Sequence, residues 1–216
     1  QMVLKNQNIR FILHLSLLLF TLAALLLNPI STLAMGNPAT LPSFADFSKT
    51  VQNGQANVLR GVYVPNILAL PVVRQPSGNA GYVSNNDGEA TQFRMASQFG
   101  NVGLLAHNHL SGKLFSGLAV GQEIILVYGD GHTEQFVVKE VLKYQALQPN
   151  SPYSSFKNIS KDEVLSAEQM FKRVYFGDRH VTFQTCIEAE GNLSWGRLFV
   201  IATPKEEYSK FDRLTP

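Results

Sequence analysis

Apolar runs separated by turn-forming residues recur along the chain after residue 57. Runs of β-branched and aliphatic residues occupy 58–64, 67–73, 102–107, 122–128 and 134–141, and two more lie within 180–202. Runs of this length, bounded by Gly, Pro and Asn, are typical of strands. With short strands in the turn-rich stretch 75–100, the count reaches about eight. The pattern therefore predicts a mostly β fold, a closed or nearly closed eight-stranded β-barrel with one or two helices.

Two local features refine these strands. The sequence Gly129-Asp130-Gly131-His132 separates two apolar arms. It predicts a β-hairpin, because Asp-Gly supplies the positive φ angles that a tight turn needs. Pro71 lies inside a predicted strand. Since proline cannot donate to a sheet ladder, this strand is expected to have an edge position or a bulge there.

One segment of the domain has a clear helical period. In Ser160–Tyr175 the apolar residues recur at spacings of three and four, which predicts an amphipathic helix. The residues on its apolar face are Val164, Ala167, Met170, Phe171 and Val174. Ser160 and Glu163 have the spacing of a capping box, so the helix is expected to begin at Ser160.

A hydrophobic segment, Phe11–Leu27, precedes the predicted barrel. It follows Lys5 and Arg10 and is succeeded by small residues ending at Ala34. This is the arrangement of a secretory signal, and an uncleaved segment of this length could serve as a membrane anchor. Residues 1–34 are therefore predicted to be a signal peptide or an anchor helix. Either form puts the rest of the chain outside the cytoplasm, secreted or anchored in a membrane.

The residues after this leader divide into two parts. Residues 35–56 are rich in Pro, Asn, Ser and Gly and are predicted to be a linker, with a short helical turn around Phe44–Val51. The β-barrel domain is expected to span 57–216.

Charge argues against one class of ligand. The chain has 18 Lys and Arg and 16 Asp and Glu, and Lys5 and Arg10 are the only charged residues before residue 35. The exported part is therefore close to neutral and has no basic run. A protein that binds nucleic acid needs a basic surface, so nucleic acid is not an expected partner.

Cys186 is the only cysteine of the chain. It cannot form an internal disulfide, so it is a buried apolar residue, an intermolecular link or a reactive thiol. His107 follows a predicted strand, and Arg197 begins the apolar run after Cys186. Each of these three residues, taken alone, has an ordinary structural explanation.

Three segments together resemble one family. Thr182–Cys186 (TFQTC) is similar to the Thr-Leu-x-Thr-Cys strand end of sortases, with Phe in place of Leu. Trp195–Val200 resembles the beginning of their last barrel strand, which carries an essential arginine. Ala106-His107-Asn108, followed by Gly112 and Phe115, is similar to their Gly-His signature, with Ala in place of Gly.

This resemblance covers roughly residues 58–203 and implies an activity. Sortases are cysteine transpeptidases that attach proteins to bacterial cell walls. The resemblance makes Cys186 the nucleophile, His107 the acid and base, and Arg197 the cation that stabilises an oxyanion or orients the substrate. Thr185 and the loop between Cys186 and Arg197 would line the substrate groove.

The resemblance also implies the partners. The substrate would be a surface protein with a sorting signal of the Leu-Pro-x-Thr-Gly type, held on the cysteine as a thioester. The acceptor would be an amine of peptidoglycan or of another protein, or else water. No cofactor is implied. The chemistry agrees with these residue types, because thiolates attack carbonyls, guanidinium groups stabilise oxyanions and imidazoles transfer protons.

Two other functions remain open. His107 and His109 are two residues apart and could bind zinc together with His132 or His180 and a carboxylate, as in a metal-dependent β-barrel enzyme. A barrel that binds peptides without catalysis is the other alternative. Asp87 and Glu89 lie in a polar loop, but the loop has too few regularly spaced ligands to predict a calcium site.

Overall fold

The computed structural model describes residues 41–212, with the side chains of 209–212 excepted. The predicted leader, residues 1–34, lies outside the described residues. No helix within residues 41–212 combines the length and the apolar character that crossing a membrane would require.

Ten strands form a single sheet within residues 41–212, and eight of them close into a barrel. The strands are β1 (Leu59–Val64), β2 (Leu68–Arg74), β3 (Ala90–Phe93), β4 (Val102–Leu105), β5 (Glu123–Tyr128), β6 (Thr133–Ala146), β7 (Phe156–Asn158), β8 (Val164–Leu165), β9 (Val181–Ala189) and β10 (Asn192–Pro204). The sheet runs β10-β9-β4-β3-β2-β1-β5-β6, and β6 also pairs with β10. This last pairing closes the ring and confirms the predicted eight-stranded barrel. The remaining two strands, β7 and β8, extend the sheet from the end of β6.

The predicted hairpin at Asp130-Gly131 is present, and Pro71 lies at a position with one strand neighbour. Strands β5 and β6 are antiparallel neighbours joined by the turn that contains Gly131, whose φ is 92°. Pro71 is exposed and pairs with Gly61 of β1, whereas β3 pairs only with Val72–Arg74. At Pro71, β2 therefore has a strand neighbour on one side only, which is the local edge position that proline tolerates.

Four α-helices and a 3-10 helix accompany the barrel within the described part of the chain. They are α1 (Phe44–Val51), α2 (Arg94–Ser97), the 3-10 helix Ser111–Gly117, α3 (Ala167–Tyr175) and α4 (Lys205–Asp212). Helix α1 buries Phe47 and Val51 against Tyr63 and Val127 of the barrel. Gly61 of β1 permits this contact, because a Cβ at that position would lie 2.9 Å from the Phe47 ring.

The predicted start of the late helix at Ser160 is wrong. Helix α3 begins at Ala167, and its capping box consists of Ser166 and Gln169. Before it, the Asn158 side chain accepts hydrogen bonds from the backbone N–H groups of Ser160 and Lys161, which fixes a turn. The Glu163 carboxylate accepts from the Tyr144 hydroxyl at 2.8 Å, so it does not cap a helix. A tertiary contact thus overrides the local capping signal.

Strand β10 is apolar on both faces, and the reason is visible in the packing. Leu198, Val200 and Ala202 belong to the barrel core. Phe199 and Ile201 point to the outside, where they pack with Met170, Val174 and Tyr175 of α3. A strand buried on both faces has a continuous apolar sequence, which is how this segment appears in the chain.

Candidate active site

Cys186 and Arg197 are directly opposite each other on neighbouring antiparallel strands. Their Cα atoms are register partners in the β9–β10 pairing. Side chains at directly opposite positions point to the same face, with Cβ atoms about 4.5–5.5 Å apart. Both residues are half-buried. Strand pairing thus brings the predicted nucleophile and the predicted cation side by side. Both lie inside their strands, and the hairpin turn at Glu190 and Gly191 is shorter than the expected loop.

His107 approaches Cys186 from the other side of β9. Strand β4 runs parallel to β9, and Leu105 is the register partner of Gln184. The Ala106 N–H donates to the Gln184 carbonyl at 3.3 Å, which continues the pairing by one step. One further step along the same register brings His107 level with Cys186. The three predicted residues therefore lie on three adjacent chain segments, with Cys186 on the middle one.

The backbone around His107 is held by a tight turn. The His107 carbonyl accepts hydrogen bonds from the N–H groups of Leu110 and Gly112, both at 3.0 Å. A Cβ on Gly112 would lie 2.6 Å from the carbonyl oxygens of Ala106 and His107 and would also collide with the Thr185 hydroxyl. Only glycine fits there, which gives a physical reason for the Gly at this position in the sequence pattern.

The buried Thr185 hydroxyl donates to the Ala106 carbonyl at 2.8 Å. It therefore links β9 to the segment that precedes His107. Thr185 also lines a cavity of about 330 Å³, so it is placed to contact a ligand there. Its hydroxyl proton is already donated to the Ala106 carbonyl.

Among residues 41–212, the Arg197 guanidinium donates hydrogen bonds only to backbone carbonyls. Its Nη1 donates to Ser194 O at 3.0 Å and to Gly196 O at 2.8 Å. Among the described side chains no carboxylate pairs with it. The guanidinium is thus fixed in orientation while its positive charge has no anionic partner in residues 41–212.

The His107 ring is similarly uncommitted. It stacks on the His109 ring, with centroids 5.4 Å apart. Within the described part of the chain its two ring nitrogens make no hydrogen bond, so they are available to transfer a proton.

Asn108 connects the two sides of the site, a role that the sequence did not reveal. Its Nδ2 donates to the Leu193 carbonyl at 2.9 Å. Leu193 lies in β10, just before Ser194, which accepts from Arg197. The segment that carries His107 is therefore tied to the strand that carries Arg197. An asparagine beside a histidine gives no local signal for such a contact, because its partner is 85 residues away.

The cavity beside Cys186 is lined by residues from several elements. They are Asn108, Gly112, Lys113, Ser116, Lys143, Ile159, Thr185, Cys186, Ile187, Glu188 and Leu198. Ile159 is 49% exposed. Leu193, whose carbonyl accepts the hydrogen bond from Asn108, is 50% exposed. Lys143 and Ile159 were not predicted from the sequence, since they belong to β6 and to the turn after β7. The cavity does not include the side chains of His107 and Arg197.

The two other histidines of the metal hypothesis lie elsewhere. His132 is in the β5–β6 hairpin, where its Nδ1 is 2.6 Å from the Asp130 carboxylate and its ring stacks on Tyr128. His180 is buried, with its ring nitrogens 2.7 Å from Asp178 O and 2.9 Å from Val174 O. Within residues 41–212 no group of three or more His, Cys, Asp or Glu side chains is arranged to hold a metal ion.

A larger cavity of about 700 Å³ lies at another part of the barrel. It is lined by residues of β6 and the start of α4, together with Arg179. Arg179 forms an ion pair with Glu134 across 2.6 Å, so the main charges there compensate each other. None of the predicted site residues lines this cavity.

Comparison with known proteins gives likenesses of structure only. No family model matches the sequence, and no curated protein matches it. Solved structures similar to the chain are sortases of several classes. Sortase A of Listeria monocytogenes is 15% identical, with 68% of this chain and 87% of that chain covered and a TM-score of 0.44.

Two further structures come from Clostridium perfringens. Sortase C is 15% identical over 74% of this chain and 82% of that chain, with a TM-score of 0.42. The sortase D5 transpeptidase is 14% identical over 76% of this chain and 89% of that chain, with a TM-score of 0.43. The fold is similar to that of sortases. At these identities the chemistry has to be argued from the residues themselves.

Proposed function

We propose that this protein is a cysteine transpeptidase of the sortase type. The observation that carries the proposal is the row across β4, β9 and β10, in which Cys186 lies between the His107 segment and Arg197. A lone thiol, an uncommitted imidazole and an unpaired guanidinium are the three groups that acyl transfer through a thioester requires.

The reaction follows from the roles that these groups can fill. The Cys186 thiolate attacks the carbonyl carbon of a peptide bond, and the oxyanion that forms is stabilised by hydrogen bonds from the Arg197 guanidinium. His107 as imidazolium gives its proton to the departing amine, which leaves a thioester on Cys186. An incoming amine then attacks the thioester, His107 accepts its proton, and the thiolate is released. Water in place of the amine would give hydrolysis.

The substrate is proposed from the sequence motifs. Their similarity to sortases favours a surface protein whose tail carries a Leu-Pro-x-Thr-Gly signal, cleaved before the Gly. The acceptor is an amine of peptidoglycan or of another protein. The apolar cavity wall next to Cys186, which includes Ile159 and Leu198, suits the aliphatic part of such a signal. Residues 1–34 would export the enzyme or anchor it at the cell envelope.

The test is cleavage of a library of Leu-Pro-x-Thr-Gly peptides by the wild-type protein and by Cys186→Ala. We expect cleavage by the wild-type protein, transfer to an added amine, labelling of Cys186 by a vinyl sulfone, and no effect of chelators. Cys186→Ala should be inactive and unlabelled, with the same melting temperature. Activity that survives Cys186→Ala and disappears with a chelator would exclude the proposal and favour a metal enzyme. Tight peptide binding without turnover would favour a binding module.

A further inference from the structure

A third cavity, with a polar lining, lies on the β2–β3 side of the barrel, away from Cys186. It measures about 420 Å³, and we call it the arginine cavity, after Arg74 and Arg94, which line it together with Ser77, Gln92 and Ser97. No acidic residue is among its lining residues. Strands β3 and β4 separate β2 from β9, so Arg74 is about 14 Å across the sheet from the strand of Cys186.

Both guanidinium groups in this cavity lack a partner. Neither Arg74 nor Arg94 forms an ion pair or a hydrogen bond through its side chain with the described residues. Elsewhere Arg173 and Arg179 each pair with a glutamate at 2.6 Å. The arginine cavity therefore holds two uncompensated positive charges on one concave surface.

The backbone around the cavity is rigidly framed by Gln75. This side chain is only 6% exposed. Its Nε2 donates to Ala80 O at 2.8 Å and to Tyr82 O at 3.0 Å, and its Oε1 accepts from the Arg94 N–H at 3.1 Å. One buried amide thus fixes both the loop after β2 and the beginning of α2. The backbone that follows Arg74 and the backbone N–H of Arg94 are thus tied to the same side chain, while both arginine side chains are exposed.

The remaining polar groups of the cavity are hydrogen-bond donors or neutral acceptors. Arg74 is the register partner of Gln92, so both side chains lie at the same level of the β2–β3 pair. The Gln92 amide donates to the Ser97 hydroxyl at 3.3 Å, which orients that hydroxyl at the cavity wall. Ser77 contributes a second hydroxyl from the loop.

We propose that the arginine cavity binds the phosphate group of a small phosphate monoester. Guanidinium groups bind phosphate through paired hydrogen bonds, and two arginines that line one cavity from different elements suit a tetrahedral group with several oxygens better than a planar carboxylate. A volume of about 420 Å³ lies in the range of small-molecule sites. It leaves room for an organic part beside the phosphate. This inference is independent of the acyl transfer at Cys186.

The experiment measures binding to the full chain by calorimetry at constant ionic strength. The probes are glycerol 3-phosphate, inorganic phosphate, acetate and glycerol. We expect glycerol 3-phosphate to bind most tightly, inorganic phosphate more weakly, and acetate and glycerol not measurably. Equal or tighter binding of acetate would overturn the assignment to phosphate, and tighter binding of inorganic phosphate would overturn the assignment to a monoester.

Matched variants locate the binding. Arg74→Gln and Arg94→Gln should each weaken glycerol 3-phosphate binding by roughly tenfold, because each removes charge-assisted hydrogen bonds. Arg173→Gln, which removes an exposed arginine that is already paired, should leave it unchanged. Arg74→Lys, which keeps the charge and loses the planar fork, should bind with intermediate affinity. Undiminished binding by folded Arg74→Gln and Arg94→Gln, or an equal loss in Arg173→Gln, would exclude the site.

A second readout separates this proposal from the proposed function. The amide signals of Gln75 and Gln92 should shift in NMR spectra when glycerol 3-phosphate is added. The rate at which a vinyl sulfone labels Cys186 should not change in Arg74→Gln. Loss of labelling without loss of phosphate binding would count against the proposed function only, and loss of phosphate binding with normal labelling against the arginine cavity only.

Discussion

Arg179 and Arg197 are both held at fixed positions in the barrel, but their surroundings differ. Arg179 donates to Gly100 O and to the Glu134 carboxylate, both at 2.6 Å, and its guanidinium lies 5.7 Å from the centre of the Phe136 ring. Arg197 donates only to two backbone carbonyls. The charge of the Arg179 guanidinium is compensated by the Glu134 carboxylate. The Arg197 guanidinium has no carboxylate partner among residues 41–212.

The histidines divide in the same way. His132 has the Asp130 carboxylate as a partner, and both ring nitrogens of His180 face carbonyl oxygens. Within residues 41–212, the ring nitrogens of His107 make no hydrogen bond, and its ring stacks on the imidazole of His109. A polar cluster that stabilises a fold satisfies its own members, and a reactive site leaves them unsatisfied until a substrate arrives. The Cys186 region and the Arg179 region both contain arginine and histidine. They differ in whether those side chains have charged partners.

The largest difference is expected between His107→Gln and His132→Gln. Loss of the proposed acid and base at His107 should lower kcat/KM for a Leu-Pro-x-Thr-Gly peptide by about 10²–10⁴-fold. His132→Gln removes an exposed imidazole of the hairpin and should leave the rate within roughly a factor of two. Steady-state kinetics on both variants measures this. Equal rates in the two variants would contradict the role of His107.

The arginines should separate activity from stability. Arg197→Gln should lower kcat by about 10²–10³-fold, because it removes the charge that we propose stabilises the oxyanion. Its melting temperature should be nearly unchanged. Arg179→Gln should retain activity per folded molecule but lose about 1–2 kcal/mol in the free energy of unfolding, since it breaks an ion pair and two further hydrogen bonds. Urea unfolding and peptide cleavage on both proteins test this, and the reverse pattern would contradict it.

A smaller effect is expected for Asn108, which ties the His107 segment to β10. Asn108→Ala should lower kcat about tenfold and alter KM little, because the proposed catalytic groups remain but the two segments that carry them are no longer tied together. Asn108→Gln should restore part of the rate. Asn85→Ala, at an exposed loop asparagine, is the control and should be neutral. A loss of stability equal to the loss of rate would indicate a purely structural role.

The last prediction concerns stability at alkaline pH and Tyr128, which lies in the Arg179 region. Burial, followed by the nearby charge of Glu134, raises its pKa from 10.0 to about 12. The folded state thus holds this proton more tightly than the unfolded chain does. The corresponding stability is fully present below pH 10 and is lost as the pH rises through about 12. As the pH rises from about 9 to about 12, the free energy of unfolding should therefore fall less in Tyr128→Phe than in the wild-type protein. Urea titrations at several pH values measure the two slopes, and parallel slopes would contradict the assignment.

Much of the barrel could be predicted from local patterns. The β5–β6 hairpin follows from the Asp-Gly turn, and the apolar runs mark β1, β2, β9 and β10 with boundaries shifted by one or a few residues. The start of α3 was missed because Glu163, whose spacing from Ser160 indicated a cap, is used by Tyr144 and Asn158. The roles of His107, Cys186, Arg197 and Thr185 stay predictions until their variants are assayed.

The sequence by itself determined that the chain forms a barrel and that one thiol, one histidine and one arginine lie in segments of a recognisable pattern. Only the tertiary structure decided which groups are neighbours. The parallel β4–β9 pairing brings His107 level with Cys186, and barrel closure through β6 and β10 fixes the strand of Arg197. The β2–β3 pairing puts Arg74 beside Gln92, and a side-chain hydrogen bond joins Asn108 to Leu193 of β10. These contacts join residues far apart in the chain, and their register depends on how the whole sheet closes, which no local pattern contains.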